Sequence, residues 1–156
     1  MILPEDVLVH AQYLYAHKEK TEILMRNVVR SAYYALYHKL LNLELPELDD
    51  DEKKCGLHVQ LIKKLKKSMI EEYSTLGTAL ADLKFTRVKA DYYLKNPLTK
   101  REAYKSLRTV EKIFKSMNEN ETEQVIKAEG NIETIASKPI VTKRPTLKVI
   151  KGSTKP

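Results

Sequence analysis

Two short stretches carry side chains suited to chemistry at helical spacing. In RSAYYALYHKLLNL, residues 30–43, Arg30, Tyr34 and His38 fall at successive turns, within about one third of a helix circumference. In RVKADYYL, residues 87–94, Arg87 and Asp91 stand four apart, in reach of one another, with Tyr92 beside them. A neutral imidazole near arginines can take a proton from a ribose 2′-hydroxyl while a guanidinium stabilises the charge on the scissile phosphate, so RNA could be cleaved without metal. The plainer alternative is packing: an Arg-Asp pair at the edge of a core and tyrosines bonded to one another. Both readings are open on these residues alone.

The surrounding pattern makes the two stretches unusual. The stripe 76, 80, 83, 87, 90, 94 keeps strict three-four spacing and is apolar except for Arg87. A buried guanidinium needs acceptors, so Arg87 must meet a carboxylate, line a cleft or sit at a subunit interface. In the earlier stretch Met25, Val29, Ala32, Leu36, Leu40 and Leu43 form a clean apolar face. Ile23, Asn27, Arg30, Tyr34, Tyr37 or His38, and Leu41 form a second, polar and aromatic one. Asn27, Tyr34 and Tyr37 are therefore expected in a cleft or an interface. His10, His17 and His58 have no comparable company.

The elements that must hold these residues are helices. Pro4 with Glu5 and Asp6 starts a first helix over 5–19, and Thr21 caps a second over 22–43, ended by ELPELDDDE. LHVQLIKKLKK gives a short amphipathic third, with lysines 63, 64, 66 and 67 read as a solvated face. A fourth fits 71–95, before Asn96-Pro97, and Thr99 caps a fifth that fades in NENETE. The expected fold is all-α, an up-and-down bundle of four to five helices over 1–118, followed by a flexible or extended basic tail, 119–156.

Composition narrows the function classes. Four glycines, six prolines and no tryptophan in 156 residues disfavour a sandwich or barrel. One cysteine allows no internal disulfide, and the histidines lack zinc-ligand spacing. Residues 138–156 hold six basic side chains and no acidic one, which leaves +1 of the net +7 for the rest. The basic character thus belongs to the tail rather than to the bundle. There is no glycine-rich phosphate loop, Gly-x-Ser-x-Gly elbow or paired-carboxylate motif, so no cofactor or metal is expected. No apolar run suggests a signal peptide or membrane span, and a cytoplasmic protein is expected.

The two motif-bearing stretches, in this order and about fifty residues apart, resemble those of the small HEPN proteins. The first is similar to that family's Arg-x-x-Tyr-Tyr-Ala-x-x-His helix, the second to the Arg-x-x-Ala-Asp-Tyr helix of stand-alone members, and the resemblance covers roughly residues 5–117. It implies a helical bundle that forms a homodimer through the motif-bearing faces. Active members are metal-independent ribonucleases, often toxins encoded beside a nucleotidyltransferase-like antitoxin; others are inactive scaffolds. The active signature is an arginine, four to six residues, then histidine. Here seven residues separate Arg30 from His38, and Asp91 or Tyr92 takes the histidine's place after Arg87. Arg30, His38, Arg87, Asp91 and Tyr92 are then either a variant catalytic site or an inert interface. The second case gives a dimeric adaptor that binds a protein partner or nucleic acid.

Overall fold

The computed structural model describes residues 1–136, and over these it is all-helical. The elements are α1 (Pro4–Ala16), α2 (Glu22–Leu40), one 3-10 turn (Glu52–Lys54), α3 (Leu57–Lys67), α4 (Glu71–Tyr92) and α5 (Lys100–Ala136). The chain divides after Glu119; the first unit, Met1–Glu119, contains the core, and the second begins at Asn120. The basic run 138–156 lies outside the described residues. Among the described residues no helix is long and apolar enough to cross a membrane.

The helix starts follow from local chemistry. Pro4 opens α1, and the backbone N–H of Leu3 donates to Asp6 Oδ2 at 2.8 Å. Thr21 Oγ1 accepts from Leu24 N at 3.4 Å. Thr99 and Glu102 form a reciprocal box: Glu102 N donates to Thr99 Oγ1 at 3.2 Å, and Thr99 N donates to Glu102 Oε2 at 2.8 Å. Short links make neighbours antiparallel, and α1 packs on α2, α2 on α4, and α3 on α4.

Helix α2 is the axis of the bundle: Met25, Val28, Val29, Ala32, Tyr33, Ala35, Leu36 and Leu40 are fully buried. Leu76, Leu80, Leu83 and Ala90 meet it from α4, and Ala103, Leu107, Val110, Phe114 and Met117 join the same core from α5. Gly77 lets α4 approach α3, because a Cβ there would stand 3.0 Å from both Leu65 Cβ and Lys66 Cγ.

Helix ends differ from the expected ones. α1 stops at Ala16 rather than 19, where His17 Nδ1 accepts from Glu19 N at 3.2 Å and folds a local turn. α2 stops at Leu40 rather than 43, and the chain leaves through three-residue turns at Asn42 and Leu43. α4 stops at Tyr92 rather than 95 and leaves Leu94, expected on the buried stripe, 70% exposed. α5 does not fade in NENETE but continues to Ala136, through residues that are mostly good helix formers with no proline before Pro139. The α3 lysines lie on the solvent side, as expected, and two of the four also pair with the acidic loop after α2: Lys64 with Glu47, and Lys67 with Asp49 and Glu52.

Candidate functional site

The facing sides of α2 and α4 bring together most of the residues singled out above. Asp91 lies between two arginines from different helices. Arg30 Nε donates to Asp91 Oδ1 at 2.7 Å, and Arg87 Nε stands 2.9 Å from Oδ2. The second contact is an ion pair without hydrogen-bond alignment, since Arg87 Nε is a buried nitrogen with no hydrogen-bond partner. Arg87 Nη2 donates instead to Tyr34 Oη, and its guanidinium lies 5.3 Å from the Tyr34 ring, 5.7 Å from Tyr33 and 5.8 Å from Tyr92. Arg30 Nη1 also donates to Asn27 Oδ1 at 3.3 Å. The Arg87 and Asp91 side chains are each 13% exposed, and that of Arg30 is 48% exposed.

Burial works against the charge on Arg87, but the bond to Tyr34 and the nearby Tyr34, Asp91 and Tyr92 outweigh it and raise its pKa. This cation is permanent. Lys84, one turn before it on the helix, has no ion pair among the described residues. Arg30, Lys84 and Arg87 against the single carboxylate of Asp91 leave a surplus of positive charge on this face.

His38 joins the cluster through aromatic contact rather than through an arginine. It is exposed, with its ring 6.2 Å from Tyr34 and 5.3 Å from the buried Tyr37. Tyr92 is 69% exposed and reaches the cluster only across Arg87. At the two ends of the polar face of α2, Ile23 and Leu41 are exposed.

His58 was set apart by sequence reasoning, and the structure corrects this. The hydroxyl of fully buried Tyr33 is bonded to His58 Nδ1 at 2.8 Å, and the His58 ring rests 4.2 Å from that of Tyr37. Burial, chiefly, with the positive charges of Arg87 and Lys84 and with His38, lowers the pKa of His58. Burial likewise raises that of Tyr33, against the opposing pull of Arg87. A signal was available: His58, Leu61, Ile62 and Leu65 share the three-four stripe that α3 buries, while Leu57 is 70% exposed.

A second missed residue is Arg26, 4% exposed and the one buried arginine among the described residues. It is paired with Glu22 at 2.6 Å and donates to the carbonyls of Lys89, Ala90 and Asn96 at 3.1, 2.9 and 2.7 Å. Glu22 Oε1 also accepts from Leu98 N at 3.1 Å. Arg26 thereby binds carbonyls of the last turn of α4 and of the segment after it, where the helix ladder ends. It shares a stripe with Val29, Tyr33 and Tyr37, so its burial could have been read from spacing.

Chemically, the face offers fixed cations, two imidazoles and buried phenols, which suits an anionic ligand with acidic oxygens. Comparison with protein-family models, curated proteins and solved structures finds no match to this chain.

Proposed function

We propose that this chain is a HEPN-type toxin or defence component that cleaves RNA without a metal ion at the α2–α4 face. The observation that supports this reading most is the clamp of Asp91 on Arg30 and Arg87, with the exposed His38 stacked on Tyr34, the phenol to which Arg87 donates. Arg30 and Arg87 bind the phosphate. His38 takes the proton of the ribose 2′-hydroxyl, the 2′-oxygen attacks phosphorus and closes a cyclic phosphate, and the 5′-oxygen leaves as its bond to phosphorus breaks, taking a proton from water. The arginines stabilise the charge that grows on the phosphoryl oxygens. Asp91 and Tyr92 position them.

The test is incubation of labelled RNA with the purified protein in excess chelator, beside Arg87→Ala and His38→Ala variants. Cleavage by the wild type and a loss of about a hundredfold or more in each variant are expected. Absence of cleavage by folded wild type overturns the catalytic reading.

A second reading has its own support in the exposed Ile23 and Leu41 at the ends of the polar face of α2 and in the exposed Tyr92, and in arginines already paired by Asp91. In it the chain is a catalytically inactive homodimeric adaptor, holding a nucleotidyltransferase-like antitoxin or a nucleic acid. Sedimentation of wild type against an Ile23→Glu, Leu41→Glu variant tests it. A monomeric wild type would remove the dimer from both readings.

A further inference from the structure

Two nitrogens of one imidazole face different surroundings in this bundle. Nδ1 of His58 is bonded to the hydroxyl of Tyr33, a phenol with no other hydrogen-bond partner among the described residues. A buried hydroxyl with a single polar neighbour places its proton on that neighbour if the neighbour can accept it, because the alternative leaves the proton unsatisfied. Tyr33 therefore donates, Nδ1 accepts, and the imidazole hydrogen of the neutral ring sits on Nε2. Nε2 has no hydrogen-bond partner among the described residues, and the one side-chain nitrogen or oxygen there that is both sealed from solvent and unbonded is Arg87 Nε. Nε2–H thus opens to solvent.

The groups around this donor are cationic or neutral. Arg87 and Lys84 act on His58 from α4 and His38 from α2, while Tyr33, Tyr34 and Tyr37 of α2 line the ring. The one carboxylate of the cluster, Asp91, is occupied by Arg30 and Arg87. We infer that His58 contacts phosphate oxygens on this face through Nε2–H, together with Lys84 and Arg87, as a neutral donor whose tautomer Tyr33 holds. This rests on reading the face as a phosphate site, and it gives the two histidines different tasks: His38 moves a proton, and His58 binds an oxygen without changing charge. Tyr33 is a positioning residue, acting only through His58.

The experiment is two-bond 1H–15N spectroscopy of the imidazoles of the full chain at pH 7.5, with assignments from single histidine replacements, followed by titration with inorganic phosphate. The expected spectrum shows His58 as the Nε2–H tautomer, and phosphate shifts its Nε2 signal. His58→Ala and Lys84→Met each weaken phosphate binding by about fivefold, the loss of one hydrogen bond or one charge. Tyr33→Phe turns His58 into a mixture of tautomers, a signature that a mere packing role for Tyr33 would not produce. An Nδ1–H tautomer in the wild type, or a His58 signal that phosphate leaves in place, overturns the inference. Phosphate shifts at His58 in a protein that cleaves no RNA would retain the inference and remove the ribonuclease reading. RNA cleavage that is untouched by His58→Ala, with no phosphate shift, would do the reverse.

Discussion

Asp91 on α4 accepts from Arg30 on α2 at 2.7 Å, across the junction of the two helices, while its other oxygen lies beside Arg87 of its own helix. The carboxylate is more buried than Arg30 and as buried as Arg87, so its removal leaves Arg87 with Tyr34 alone. Asp91→Ala is expected to cost about 2–3 kcal/mol, and Arg30→Ala less than about 1 kcal/mol because that side chain stands half in solvent. Urea denaturation measures both. Equal losses would mean that the pair, rather than the stranded cation, carries the energy. Asp91→Asn should also tighten phosphate binding, since the carboxylate competes with any anion for the two guanidinium groups.

Arg26 meets the end of α4 where four carbonyls and one carboxylate need donors. Arg26→Met keeps volume but leaves the carbonyls of Ala90 and Asn96 without a donor and Glu22 without its cation, and a loss of about 2–4 kcal/mol is expected. Hydrogen exchange of α4's last turn and of residues 93–99 should accelerate together. A stable variant with unchanged exchange there would show that water replaces the guanidinium at little cost.

Gly77 separates α4 from α3 by the width of a missing methyl group. Alanine favours helix by about 1 kcal/mol over glycine, yet its Cβ would press on Leu65 Cβ at 3.0 Å. Overpacking of this kind costs about 1–3 kcal/mol, so Gly77→Ala should be destabilising by about 1 kcal/mol net. A higher melting temperature in the variant would mean that α3 shifts freely.

Among the carboxylates, acid should act most strongly through Glu102. Burial raises its pKa, but hydrogen bonds from Lys89 and from Thr99 outweigh it and bring the carboxyl to about 2, against the ordinary glutamate value of 4.5. A carboxylate depressed in the folded state stabilises above the unfolded value, and the contribution is lost as pH falls through 4.5 toward about 2. Glu102→Gln should lower the urea midpoint at pH 7 and converge with wild type near pH 2. Parallel profiles across that range would show that the Lys89 and Thr99 contacts do not set the carboxyl's titration.

What could be read from the chain was local. Pro4, Thr21 and Thr99 announce helix starts because capping is settled within four residues. The pairing of Arg87 with Asp91 was legible for the same reason. The reach of Arg30 to Asp91 and of Arg87 to Tyr34 joins residues 61 and 53 positions apart, and depends on which helix α2 packs against. His58 and Arg26 were passed over although each lies on a buried stripe, because a polar residue among apolar ones reads as an edge until its partner is known. The grip of Arg26 on the last turn of α4 was out of reach for the same reason, since it joins residues 64 positions apart.

The buried bonds of Arg26 also act as a stop against sliding. Arg26 and Arg30 are one turn apart on α2, and the residues they grip on α4, Ala90 and Asp91, are consecutive. A slip of one helix along the other by a single turn, about 5.4 Å, would break both grips at once. The interior arginine thus indexes the outer one, and the spacing of cations on the exposed face is set by a residue that no ligand can touch.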